Sequence, residues 1–230
     1  MLIVKDNPKS PISEAYRTLR TNIQFSSFDN KLDTILVTSS GPNEGKTVTS
    51  SNLALSMAEI GKKVLLIDCD LRKPSIHKKF NLSNNKGLSN LLIGQLKFDE
   101  VAQKYNDNMC ILTSGTVPPN PSEMLGSKKM GQFLDEAKKI FDFIILDTPP
   151  VVAVTDAQLL STMVGGVLLV VAAGQAEISA VEKAKELLNN VKANIVGVVL
   201  NKSEVTGGKK YGYYYYYYGE GKSKKGKKEE

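Results

Sequence analysis

One run of residues, Ser39-Ser40-Gly41-Pro42-Asn43-Glu44-Gly45-Lys46-Thr47, carries the clearest chemistry in the chain. It follows the apolar stretch Thr34-Ile35-Leu36-Val37 and leads into a helical pattern. A glycine-containing turn between strand and helix aims backbone N–H groups and the positive end of the helix at an anion, so it binds phosphate. In G-x-x-x-x-G-K-[ST] the lysine reaches the β- and γ-phosphates and the hydroxyl ligates Mg²⁺. Lys46 and Thr47 fill those positions, and Ser40, Gly41, Pro42, Asn43, Glu44, Gly45 and Val48 complete the expected ATP contacts. Ser40 stands where the first glycine is expected, with Gly41 beside it to supply backbone freedom. A turn that merely caps an ordinary helix is the bland alternative, and the strand before and helix after argue against it.

Two more apolar runs end in acids. Val64-Leu65-Leu66-Ile67-Asp68-Cys69-Asp70-Leu71-Arg72 sets two carboxylates two residues apart, and Phe143-Ile144-Ile145-Leu146-Asp147-Thr148-Pro149-Pro150 sets a third. Asp147 fits the Walker B acid, which holds Mg²⁺ directly or through water. A lone Asp after a strand usually caps the next turn. Three of them in a chain with a phosphate loop are better explained as a metal and general-base cluster. Thr47, Asp68, Asp70 and Asp147 are therefore the expected metal ligands, with Lys46 stabilising γ-phosphate charge. Asp68 is the candidate base and Asp70 the metal's support, two roles that can be exchanged.

The nucleotide is read near the end of the last apolar run. Leu200-Asn201-Lys202-Ser203-Glu204 nearly spells the guanine-reading N-K-x-D, but Glu stands in the Asp position and Asp147 opens no D-x-x-G. The longer Glu would misplace its carboxylate against a guanine edge, so ATP is expected. Asn201 is then an adenine contact or, equally, a strand-end turn residue alongside Lys202. Partition and cell-division ATPases share much of this pattern but carry an additional lysine five residues before the Walker lysine. Gly41 occupies that place, which argues against that subgroup.

These residues need a scaffold that brings strand ends together. The three runs already named, with Val167–Val171 and Ile195–Leu200, lack two-residue alternation and read as strands buried on both faces of a mainly parallel sheet. Helical spacing of apolar residues covers about 46–61, 127–140 and 178–192, and an amphipathic helix over about 12–25 precedes the first strand. Alternation of this kind predicts a doubly wound α/β domain of the P-loop type, with ligands at the carboxyl ends of the strands. The expected organisation is a helical segment over 1–30, a nucleotide-binding domain over 31–205 and a tail over 206–230.

Bulk properties narrow the function classes. With 230 residues, 41% hydrophobic and 23% charged, the chain suits one globular domain with tails. Of the formal net charge of +6, +4 lies between Gly207 and Glu230, so the body is nearly neutral and nucleic-acid binding is not indicated. Two cysteines offer no disulfide framework and suit a reducing cytoplasm. The longest apolar run, Val164 to Ala173, is too short for a bilayer that needs roughly 20 residues. The tail is low-complexity, with too little aliphatic content to pack, and is expected to be disordered. It holds seven of the nine tyrosines: Tyr211, Tyr213, Tyr214, Tyr215, Tyr216, Tyr217 and Tyr218. A flexible tyrosine cluster reads as a multi-site phosphoacceptor, or more blandly as a sticky appendage.

With the Lys46–Thr47 loop, Asp68-x-Asp70-x-Arg72, Asp147-x-x-Pro150 and this cluster together, the whole chain resembles the bacterial tyrosine kinases. Glu14, Arg17 and Arg20 also match that family's E-x-x-R-x-x-R oligomerisation motif, although such spacing alone usually marks a solvated helix face. The resemblance implies an ATP- and Mg²⁺-dependent protein-tyrosine kinase whose ring-shaped homo-oligomer offers each tail to a neighbour. It further implies a cytoplasmic chain recruited to the membrane by a separate transmembrane activator, with protein substrates phosphorylated on tyrosine and a role in capsular or extracellular polysaccharide synthesis. The rival reading is a non-kinase P-loop ATPase switch; a weaker one is a scaffold that binds ATP without turnover.

Overall fold

The computed structural model describes residues 2–26 and 32–203. Helices α1 (Ile3–Asp6) and α2 (Pro11–Phe25) precede β1 (Thr34–Ser39), α3 (Lys46–Glu59) and β2 (Val64–Asp68). Short helices α4 (Ile76–Phe80), α5 (Leu88–Leu92) and α6 (Phe98–Val101) lead to β3 (Gln103–Asn106) and β4 (Met109–Leu112). Then come α7 (Pro121–Leu125), α8 (Lys128–Ala137), β5 (Phe143–Asp147), α9 (Asp156–Ser161), β6 (Gly166–Ala172), α10 (Ile178–Asn190) and β7 (Ile195–Asn201).

The strands form one sheet in the order β3-β4-β2-β5-β1-β6-β7, parallel except for the β3–β4 pair. This is the expected doubly wound, mainly parallel architecture. Each central strand feeds both layers. Ile35, Val37, Val64, Leu66 and Ile145 pack with Tyr16, Ile23, Leu53 and Met57 on one face. Leu36, Leu65, Ile67, Ile144 and Leu146 pack with Leu134, Leu160 and Leu188 on the other. Burial on both faces is why these runs show no alternation. The chain leaves β1 toward β2 on one side and later adds β6 on the other. The carboxyl end of β1 is therefore a switch point, the place where such sheets bind ligands.

Two expectations change. Ile195–Leu200 does form a strand, but at the sheet edge, with Val198 and Leu200 exposed rather than buried on both faces. The β3–β4 pair was missed because Gln103-Lys104-Tyr105-Asn106 is polar and both strands have four residues. No helix among the described residues is long and apolar enough to cross a membrane.

Helix α2 starts where Ser10 accepts the Ser13 N–H at 3.1 Å and Pro11 opens the first turn. It is docked onto the C-terminal end of α3. Arg17 grips Glu59 through two bonds of 3.1 Å, and Arg20 donates to the Ser56 carbonyl at 2.6 Å. Glu14, largely exposed, lies 3.3 Å from Arg17. Arg17 and Arg20, expected to serve oligomerisation or to lie on a solvated face, are thus also engaged within their own chain. Within the segment over 1–30, Leu2, Ile3, Val4, Tyr16 and Ile23 pack into the core cluster on one face of the sheet.

Glu59→Gln is expected to remove a partly exposed bidentate pair worth up to about 1 kcal/mol. Calorimetry should show a Tm lower by roughly 2–4 °C in a chain of this size. An unchanged Tm would show that the pair does not hold α2 in place.

Candidate active site

The phosphate loop runs from the end of β1 to the start of α3. Its crest takes left-handed backbone at Asn43 (φ 61°) and Gly45 (φ 97°), not at Gly41. Gly45 is doubly constrained, because a Cβ there would lie 2.0 Å from Asn201 Nδ2. Glu44 turns inward, 2% exposed. Its Oε1 accepts from the Ser40 hydroxyl at 2.5 Å and from the Gly41 N–H, and its Oε2 accepts from the Ala172 N–H at 3.0 Å. Ser40, the departure from the expected glycine, is therefore a hydrogen-bond donor to the loop's own carboxylate. The Glu44 side chain thereby anchors the loop to β6 from beneath.

Asn201 and Lys202 hold the crest from outside. Asn201 Nδ2 donates to the Glu44 carbonyl at 2.8 Å, and Lys202 Nζ donates to the Asn43 carbonyl at 2.8 Å and to Gln175 at 2.7 Å. Asn201 is thus more than a turn residue. A lone acid inside an anion-binding loop was the signal for Glu44; nothing local announces the β7 braces, since Asn201 and Lys202 reach across 157 and 159 residues.

Sheet register brings two of the three acids together. Val37 of β1 and Asp68 of β2 both align with Asp147 of β5. Asp147 is fully buried; its Oδ2 accepts the Thr47 hydroxyl at 2.6 Å, and among the described residues its Oδ1 has no hydrogen-bond partner. Thr47 is also 3.0 Å from the Ser75 hydroxyl. Lys46, in the first turn of α3, lies 3.8 Å from Asp70 Oδ2. Val48 follows it half-buried in the same turn, and Pro42 stays exposed on the loop.

Asp68 is engaged in a different way. Its Oδ2 accepts from the Ser75 and Ile76 N–H groups at 3.0 and 2.9 Å, and its Oδ1 from the Asp70 N–H at 3.2 Å. Asp70 Oδ1 in turn accepts from the Lys73 N–H at 2.9 Å. The turn-capping reading weighed for a lone Asp therefore holds for Asp68, alongside its place in the acid group. Burial and the neighbouring Asp147 carboxylate push the Asp68 carboxyl well above its usual range, against the backbone donors. Burial also raises Asp147, while Lys46 and the Thr47 hydroxyl pull it back. Among the described residues no group of three or more His, Cys, Asp or Glu side chains forms a ready-made cation cage. Mg²⁺ takes one or two carboxylates and completes its shell with water and phosphate oxygens. The unpaired Asp147 Oδ1 beside the Thr47 hydroxyl is a donor set that fits such an ion. The candidate acceptors Tyr211 and Tyr213–Tyr218 lie outside the described residues.

Comparison with known proteins identifies the lineage. The family described as ParA: NUBPL iron-transfer P-loop NTPase matches residues 31–230. The tyrosine-protein kinase YwqD of Bacillus subtilis is 44% identical over 214 residues, spanning 93% of this chain and 90% of that protein. The putative tyrosine-protein kinase CapB of Staphylococcus aureus is 43% identical, spanning 93% and 94% respectively. The solved chimerical protein CapA2B2 superposes with a TM-score of 0.84 at 42% identity, over 88% of this chain and 89% of that one.

The chain belongs to the bacterial tyrosine kinases.

It is a protein-tyrosine kinase built on a nucleotide-binding P-loop fold. The missing lysine at Gly41 does not remove it from the ParA-type family at large; kinship at over 40% identity is what places it among the kinases.

Gly45→Ala is expected to weaken ADP–Mg²⁺ binding by at least about 10-fold, because the added Cβ meets both a left-handed φ and the Asn201 brace. Titration calorimetry checks this, and an unchanged affinity would contradict the rigid-crest geometry.

Proposed function

We propose that this kinase uses ATP and Mg²⁺ to phosphorylate tyrosine, its own Tyr211 and Tyr213–Tyr218 included, in trans within a homo-oligomer. The observation that carries the reading is the buried Asp147 carboxylate, bonded to Thr47 through one oxygen and unpartnered at the other, with Lys46 in the same turn. Thr47 and Asp147 would hold the metal, which when bound offsets negative charge on the β- and γ-phosphates. Loop N–H groups and the start of α3 would take the phosphate oxygens. Lys46 would meet the charge that builds on the transferring phosphoryl group. The tyrosine oxygen attacks the γ-phosphorus as the bond to the ADP oxygen breaks, and a carboxylate takes the phenolic proton. Asp68, whose environment favours the proton-bound form, and Asp70, which opens toward Lys46, are the two candidates for that proton.

Partners follow the same logic. A chimera named for CapA and CapB together supports a kinase that works with a second chain, here a transmembrane activator that recruits it to the inner face of the membrane. The relatives' names support a role in capsular or extracellular polysaccharide synthesis. The matching ParA-type family favours a second reading, an ATPase switch in which the tail is only adhesive.

Intact-mass spectrometry after incubation with ATP–Mg²⁺ separates the two. Stepwise phosphate additions are expected on the wild type, and none on Lys46→Met, whose loss of a transition-state contact should slow transfer by at least about 10²-fold. ADP formation without added mass would favour the switch. Asp68→Asn is expected to lower the transfer rate much more than ADP affinity, as measured by single-turnover kinetics beside calorimetry. Parallel losses in both would place Asp68 in the ground-state metal site.

A further inference from the structure

Three connections that follow the carboxyl ends of β2, β4 and β5 meet at one charged cluster outside the acid group already described. Arg72, two residues beyond Asp70, reaches across to Asp156 at the start of α9. Its Nε and Nη2 donate to Asp156 Oδ2 and Oδ1 at 3.0 and 3.2 Å. Nη2 also donates to Ser122 Oγ of α7 at 2.8 Å, and Ser122 Oγ donates to Asp156 Oδ1 at 2.6 Å. Thr155 Oγ1 lies 3.5 Å from the same Ser122 oxygen. Asp156 has no side-chain exposure, whereas Arg72 keeps 39%.

Such a cluster is a poor device for stability alone, since apolar side chains of similar volume often replace a buried ion pair without loss. What a two-point guanidinium–carboxylate contact supplies is direction. The direction matters here because Arg72 sits inside the turn that aims Asp70. Asp70 accepts from Lys73 N–H on the far side of Arg72, and Asp68 accepts from Asp70, Ser75 and Ile76 N–H groups around the same turn. Besides the clamp, that turn is held by its own internal bonds, by the buried Cys69 and Leu71 side chains, by the Cys69 N–H bond to the Asp147 carbonyl, and by the Lys46 and Thr47 contacts that nucleotide must share.

We infer that Arg72, locked to Asp156 and Ser122, is a positioning residue that fixes the turn carrying Asp68 and Asp70 against α7 and α9. It acts on the orientation of the proton-accepting carboxylate and not on nucleotide binding. The inference rests on the placement of the general base among Asp68 and Asp70 proposed above.

The test uses the full chain with ATP–Mg²⁺ and a synthetic tyrosine peptide, comparing Arg72→Gln, Arg72→Lys, Asp156→Asn and the Arg72→Gln/Asp156→Asn double variant. Misplacing a reacting group by about 1 Å can lower a rate by on the order of 10²-fold, and kcat of Arg72→Gln is expected to fall toward that extent. KM for ATP and the affinity for ADP–Mg²⁺ should move by less than about 3-fold, the split expected of an interaction felt in the transition state. The double variant should be no slower than the slower single one, because the pair acts as a unit. Arg72→Lys, which keeps the charge and loses the fork, should fall between Arg72→Gln and wild type. Arg72→Gln leaves the buried Asp156 charge unpaired. If that variant does not fold, the double variant, with no orphaned charge, decides by the same split. A kcat near wild type in the folded variants while Lys46→Met is inactive overturns the inference and leaves the site intact. A raised KM at constant kcat, or losses that multiply in the double variant, also overturns it. If Lys46→Met itself turns over at the wild-type rate, the site reading and the inference fall together.

Discussion

The site depends on one buried carboxylate. Asp147 ends the strand between β1 and β2, has no solvent exposure, and gives one oxygen to the Thr47 hydroxyl while the other finds no partner among the described residues. A buried, half-satisfied acid is costly unless a cation completes it. Asp68, its register neighbour, adds like charge from the side. Lys46 and the backbone donors around Asp68 offset part of that cost, and the remaining demand is what the proposed metal would meet.

Everything near this carboxylate is arranged to keep short distances fixed. The crest of the phosphate loop is held from below by Glu44 and from the side by Asn201 and Lys202, so the β6 and β7 ends set its shape. The far end of α3, whose first turn carries Lys46 and Thr47, is gripped by Arg17 and Arg20 of α2. Residues expected to serve assembly thus also brace the helix that carries Lys46. Any effect of that motif on assembly has to be separated from its effect on this helix.

Much of this was readable from the chain, and what was not has a physical cause. The central strands were visible because Thr34–Val37, Val64–Ile67 and Phe143–Leu146 are continuous apolar runs, the mark of strands covered on both faces. The same signal misled at β7, where an equally apolar run lies at an edge and leaves Val198 and Leu200 exposed. Lys46, Thr47 and the three acids were visible from spacing, since the acids end or follow strands and Lys46 and Thr47 open the helix after a glycine-containing turn. The inward role of Glu44, the braces from β7 and the partners of Arg17 and Arg72 were not. Each depends on a contact between elements distant in sequence, 42 residues for Arg17 with Glu59 and 84 for Arg72 with Asp156, and no local pattern encodes it.

The most direct test is the Mg²⁺ dependence of ADP affinity, measured by calorimetry with and without the metal in the wild type and in Asp147→Asn. If the unpaired, buried carboxylate creates the demand for a cation, the metal should strengthen ADP binding by at least about 10-fold in the wild type. In Asp147→Asn, where the buried charge is gone, that gain should nearly vanish while metal-free binding persists. An equal Mg²⁺ gain in both proteins would contradict the account.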